Sequence, residues 1–163
     1  MSRFVDSEII FELGNLHFGR KKIQPTRREL LSFMEESKGK LKHELLDLKP
    51  EQFAEVTASF ADVIRRAGYT CYAWATMPDH THAVIRKHRD SAEDMIEKFQ
   101  TASRDLMRAN GMRPSDHPVW GGPGWKVYLD TPDDIRRTVR YVYDNPKKMR
   151  LPDQNWDFIT PVR

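Results

Sequence analysis

Apolar residues recur along this chain with two periods, near 2 and near 3.6 residues, and the switches between them mark the elements. Glu8 to Leu13 (EIIFEL) predicts a first strand. Pro25-Thr26 then opens a helix, with Thr26 and Glu29 as a capping box and Leu30, Leu31, Phe33 and Met34 as its apolar face. Ser37 to Lys42 is polar and interrupts it. From Pro50 a second helical stretch carries Phe53, Val56, Phe60, Val63, Ile64 and Ala67 at helical spacing, and Gly68 closes it. Tyr69 to Met77 is aromatic-rich and strand-like, Pro78-Asp79 makes a tight turn, and His80 to Arg86 is the next strand, so the two predict an antiparallel hairpin.

Ser91 caps the next helix, with Asp94 at its third position and Met95, Ile96, Phe99, Ala102, Leu106 and Met107 as the buried stripe; Asn110-Gly111 ends it. Met112 to Gly124 holds three prolines and three glycines and predicts an exposed loop. Trp125 to Leu129 is a last strand. Thr131 caps a final helix with Pro132 at its first position. The order is strand, helical region, strand, strand, helix, strand, helix. Its first six elements match a ferredoxin-like α+β unit, an antiparallel sheet with helices on one face, and the seventh is an added C-terminal helix. No repeat or linker divides the chain, so 1–163 is expected to be one domain.

On the last helix, which turns about 100° per residue, Ile135, Val139 and Val142 fall within roughly 60° and form the core-facing stripe. Tyr143 lies beside that stripe and is expected to pack. Tyr141 lies about 120° from its centre, at an exposed position, and Asn145 projects one turn further on the same side. Pro146 discourages helix at Asn145, so the helix is expected to end or kink there.

Composition narrows the class. A hydrophobic content of 39% with 31% charged residues describes a soluble globular protein. No apolar run approaches the roughly 20 residues of a membrane helix, and acidic residues stand where a signal peptide would be apolar. A cytoplasmic location is expected. The single cysteine, Cys71, reads as a small buried strand residue. Net charge is only +3, but Arg136, Arg137, Arg140, Lys147, Lys148 and Arg150 face a single acid, Asp144, between positions 136 and 150. Such a patch suits a polyanion, although charge runs are more often solvated helix faces.

The candidate chemistry starts at Met77 to Ile85 (MPDHTHAVI). His80 and His82 point the same way from a strand, about 7 Å apart along the chain, and can converge on one cation while Thr81 faces the opposite side. His-x-His alone is a weak signal. A two-histidine phosphoesterase would need Thr or Ser two residues after a histidine, and none of the six histidines has one. A ferredoxin-like RNA-binding module fits the fold alone, but its aromatic sheet motifs are absent.

With Tyr141 and Asn145 added, the chain resembles the single-tyrosine transposases of the HUH superfamily, in particular the REP-associated tyrosine transposases. The matching segments are MPDHTHAVI, VWGGPGWKVYLDTPDDIRRTVRYVYDNP and the lysines after Pro146, and the resemblance runs from about the first strand to Trp156. It implies that His80, His82 and Asn145 bind a divalent metal, Mg²⁺ or Mn²⁺, and that Tyr141 is the nucleophile. It further implies cleavage of single-stranded or hairpin DNA through a 5′-phosphotyrosine, with the basic residues from Arg136 to Arg150 on the DNA. Thr81 replaces a usually large apolar residue, Asp79 stands where asparagine is frequent, and the segment before Tyr69 is long for the family. The family includes monomers and dimers with exchanged tyrosine helices. The alternative is a domesticated protein that binds DNA hairpins without cleaving them. Trp120, Trp125 and Tyr128 are candidates for stacking on bases, with core packing as the plainer role.

Overall fold

The computed structural model describes residues 2–7, 46–121 and 124–162. Seven elements follow in chain order: β1 (Ser2–Ser7), α1 (Pro50–Ala67), β2 (Cys71–Thr76), β3 (Thr81–Arg86), α2 (Ala92–Ala109), β4 (Trp125–Leu129) and α3 (Pro132–Lys148). The strand expected at Glu8 to Leu13 and the helix expected from Thr26 lie outside the described residues. The strand that fills the first role is β1, six residues earlier in its centre.

The strands form one antiparallel sheet in the order β2-β3-β1-β4, the ferredoxin-like arrangement. Local signals explain the helices between them. Pro50 opens α1 where its missing N–H costs nothing, and Gln52 Oε1 accepts from the Lys49 amide at 2.9 Å. Gly68, at φ 69°, closes α1 in the left-handed conformation that a residue without Cβ adopts at no steric cost. Ser91 caps α2 reciprocally with Asp94.

A bulge between Cys71 and Ala73 sets the two faces of the sheet. After it, Trp74 faces the same side as Cys71, Ala83 and Ile85, where α1 and α2 pack to form an aromatic core with Phe60, Phe99 and Trp120. Ala73, Ala75, Met77 and Val84 face the opposite side, where Ile135, Val139 and Val142 of α3 cover them. Two alanines in the second strand leave room for α3 to sit low on the sheet. Cys71 is fully buried, and burial pushes its thiol up to about 12, as suits an inert packing residue.

Thr81 belongs to the helical side. It pairs across the hairpin with Thr76, whose hydroxyl meets Thr57 of α1 at 2.7 Å and accepts from Trp74 Nε1 at 3.1 Å. The space behind the histidines is thus lined by threonines rather than by one large apolar side chain.

β2 is an edge strand, and the chain after α3 covers it. Gln154 mimics a backbone unit there, accepting from the Thr76 amide at 2.9 Å and donating to the Thr76 carbonyl at 2.6 Å. Further along, the Thr160 amide donates to Cys71 at 2.7 Å, and Trp156, Phe158 and Ile159 pack on the core. The open edge is closed without a fifth strand.

A second polar cluster pins the loop between β3 and α2. Asp90 accepts from Tyr69 at 2.6 Å and from Lys98 at 2.5 Å, and the Asp90 amide donates to His88 Nδ1. The hydrogen bond from Lys98, then that from Tyr69, holds the Asp90 carboxyl down at about 2. A carboxyl depressed in the fold supports stability above its unfolded value near 3.9 and loses that support as pH falls toward 2. Asp90→Asn is therefore expected to flatten the acid limb of stability between about pH 4 and 2. Urea unfolding of both chains across that range measures it, and parallel acid limbs would contradict it.

Candidate functional site

His82 lies on β3, opposite Ala75 of β2 and opposite Asp6 of β1 in the register, and so on the sheet face that α3 covers. It is only 1% exposed. His80 precedes the strand, in the turn that the Met77 amide closes by donating to the His80 carbonyl at 2.8 Å. The two rings meet edge to face with centroids 4.6 Å apart, and their Nε2 atoms are 3.0 Å apart. The expected convergence of the pair is present, although His80 sits in the turn and not in the strand.

The other nitrogen of His80 is also engaged. Asp79 Oδ1 lies 2.6 Å from His80 Nδ1. Burial raises the Asp79 carboxyl, but its interactions with His80, the hydrogen bond first, outweigh that and hold it below the usual range.

Tyr141 reaches the site from α3. Its ring stands edge-on to His82 with centroids 5.6 Å apart, while the residue remains 44% exposed. The helical wheel therefore placed it correctly, out of the core and on the side of Asn145. The Lys148 ammonium lies 5.2 Å over the same ring, two turns further along α3. Tyr143, expected to pack, is 40% exposed and belongs to neither core cluster. Val142 and Pro146 take the buried positions on this part of the helix instead.

The expected end of the helix at Asn145 is corrected: α3 continues to Lys148 with Pro146 inside it. Proline forfeits only one bond, and the turn that follows makes good the rest. Leu151 donates to Pro146 at 2.9 Å and Arg150 donates to Lys147 at 3.0 Å, with Arg150 left-handed at φ 56°. Asn145 thus stays helical and one turn from Tyr141. Its Nδ2 is buried and has no hydrogen-bond partner among the described residues. Rotating the amide by 180° exchanges that end for an oxygen, an acceptor that suits a cation.

Among the described residues no three His, Cys, Asp or Glu side chains gather as a ligand group. The carboxamide of Asn145 is a candidate third donor for the His80–His82 pair. Two imidazole nitrogens and one amide oxygen form a neutral set compatible with Mg²⁺ or, better, Mn²⁺.

The basic residues divide in two. Arg136 pairs with Asp133 at 2.5 Å and Arg137 pairs with Asp134, both within the first turns of α3. Arg140, Lys147, Lys148 and Arg150 are exposed toward its other end, and no carboxylate among the described residues forms an ion pair with them. Of the aromatic candidates, Trp120 is core, donating to Ser103 Oγ at 3.0 Å, and Tyr128 is 39% exposed. Of Arg137, Arg140 and Lys148, the cations that the sequence offers beside Tyr141, Lys148 is the one over its ring, while Arg137 pairs with Asp134. Sequence reasoning missed the Asp79 contact with His80, for which the adjacency of the two residues was the available signal.

No family model matches the chain, and no curated protein sequence matches it. A solved structure does: that of a REP-associated tyrosine transposase bound to a REP hairpin, at 21% identity and a TM-score of 0.52, covering 67% of this chain. The chain spans 63% of that protein's length in return. At this identity the likeness is one of architecture: the chain has an α+β fold similar to that of a REP-associated tyrosine transposase.

Proposed function

We propose that this protein cleaves and rejoins single-stranded DNA at hairpins, with Tyr141 as the nucleophile. The observation that carries the reading is Tyr141 standing edge-on to His82 while His80 closes on the same point. Tyr141 attacks a phosphorus, forming the Tyr141 Oη–P bond as the P–O3′ bond breaks. The phenolic proton ends on the departing 3′ oxygen. The products are a 5′-phosphotyrosine and a free 3′-hydroxyl, and attack by that hydroxyl reverses the step, so the bond energy that hydrolysis would discard is kept. The Lys148 ammonium, 5.2 Å over the Tyr141 ring, puts positive charge beside the nucleophile.

His80, His82 and Asn145 would hold the divalent metal, which supplies charge to the scissile phosphate and fixes its orientation. Arg140 and Lys147, exposed on α3, and Arg150, exposed just beyond it, suit neighbouring phosphates. The solved relative's hairpin motivates the substrate class. Incubation with hairpin-bearing single-stranded DNA and Mn²⁺ is expected to give a protein–DNA adduct that survives denaturing electrophoresis and disappears with EDTA. Hairpin binding with no adduct or nick, across metals and hairpins, would instead identify a non-cleaving hairpin binder.

A further inference from the structure

We infer that Asp79 is a positioning residue that fixes the tautomer and direction of His80, and so makes His80 Nε2 available to a cation; the purpose rests on the metal reading above. An ionised carboxylate only accepts hydrogen bonds, so the 2.6 Å contact puts the His80 proton on Nδ1. The lone pair then lies on Nε2, the atom that faces His82 Nε2 at 3.0 Å. Without an acceptor at Nδ1, the proton can occupy Nε2 and block the position where the two rings converge.

The turn that carries Asp79 is held from both sides. The Met77 amide donates to the His80 carbonyl at 2.8 Å, and the Leu48 amide donates to the Pro78 carbonyl at 2.7 Å. Pro78 fixes its own φ next to Asp79. The carboxylate is thereby presented to His80 by a rigid segment and not by a mobile loop. Carboxylate–histidine–metal arrangements of this kind orient the ligand ring and raise its basicity, and their loss commonly costs 10- to 100-fold in metal affinity.

The test has one arm without metal and one with it. In uniformly ¹⁵N-labelled wild-type protein, long-range ¹H–¹⁵N spectra are expected to show His80 protonated on Nδ1 and bare on Nε2. Asp79→Ala should shift His80 toward the Nε2–H form, and Asp79→Asn, which keeps an acceptor oxygen, should shift it less. Titration with Mn²⁺, followed by the spin resonance of the free ion, should show Asp79→Ala weakened by about 10- to 100-fold and Asp79→Asn by less. A merely structural turn residue would move the thermal midpoint and leave both readouts in place. Wild-type His80 protonated on Nε2, or Asp79→Ala binding Mn²⁺ as the wild type does, would overturn the inference. A wild-type chain with the Nδ1–H tautomer that takes up no Mn²⁺ at all overturns the metal reading, and the purpose assigned to Asp79 with it.

Discussion

Tyr141→Phe is expected to abolish the covalent DNA adduct, by at least about 10³-fold, since no other group in its place can form the bond. The change removes one oxygen from a side chain that is 44% exposed, so folding and hairpin affinity should hold, with stability within about 0.5 kcal/mol of wild type. The edge-on contact with His82 and the Lys148 ammonium act on the ring and persist in phenylalanine. Loss of the adduct with unchanged DNA binding would therefore isolate the hydroxyl. Tyr143→Phe is the matched control. Tyr143 leaves the helix about 200° away from Tyr141. Burial raises its phenol, the wrong direction for a nucleophile. An adduct that survives Tyr141→Phe and vanishes in Tyr143→Phe would move the nucleophile to Tyr143.

Much of this arrangement is written in local patterns. Gly68 after Ala67, Ser91 three residues before Asp94, and Thr131 before Pro132 each place a helix end within a residue or so of where it lies. The hairpin follows from two apolar runs around Pro78-Asp79, whereas strand alternation does not by itself give the meeting of His80 and His82, since His80 lies in the turn before β3. What escaped has physical reasons. Pro146 reads as a helix stop, yet it falls in the last turn, where one lost bond matters little and a left-handed Arg150 recovers the rest. The edge of β2 is closed by the side chain of Gln154, which no backbone period announces. Thr81 departs from the large apolar residue of the resemblance because it stands opposite Thr76, whose hydroxyl meets Thr57 of α1, and neither neighbour is local in sequence. Tyr143 was assigned to packing from one helix alone, while its exposure depends on what the sheet beneath offers.

The two faces of the sheet also separate stability from chemistry, and Phe60→Ala exposes that division. Phe60 is 2% exposed at the junction of α1, β2 and α2, with ring centroids 4.7 Å from Trp74, 6.0 Å from Phe99 and 6.4 Å from Trp120. A small void already lies among Phe60, Trp74, Phe99 and Trp120, and their stiff rings leave little freedom to collapse onto a larger one. Truncation should therefore cost about 3–5 kcal/mol, a large share of the roughly 5–15 kcal/mol available to a domain. For a chain of this length that corresponds to a fall of about 6–20 °C in the thermal midpoint. His82, Tyr141 and Asn145 lie on the opposite face, under and on α3, so adduct formation measured well below the lowered midpoint should stay within a few-fold of wild type. Phe60→Leu retains most of the volume and should recover more than half of the loss. A thermal midpoint unchanged in Phe60→Ala would mean that this aromatic cluster is not the core. A midpoint that falls as expected, with adduct formation lost even in the cold, would mean that the helical face controls the site through the sheet, with Thr76 and Thr81 as the contiguous path between them.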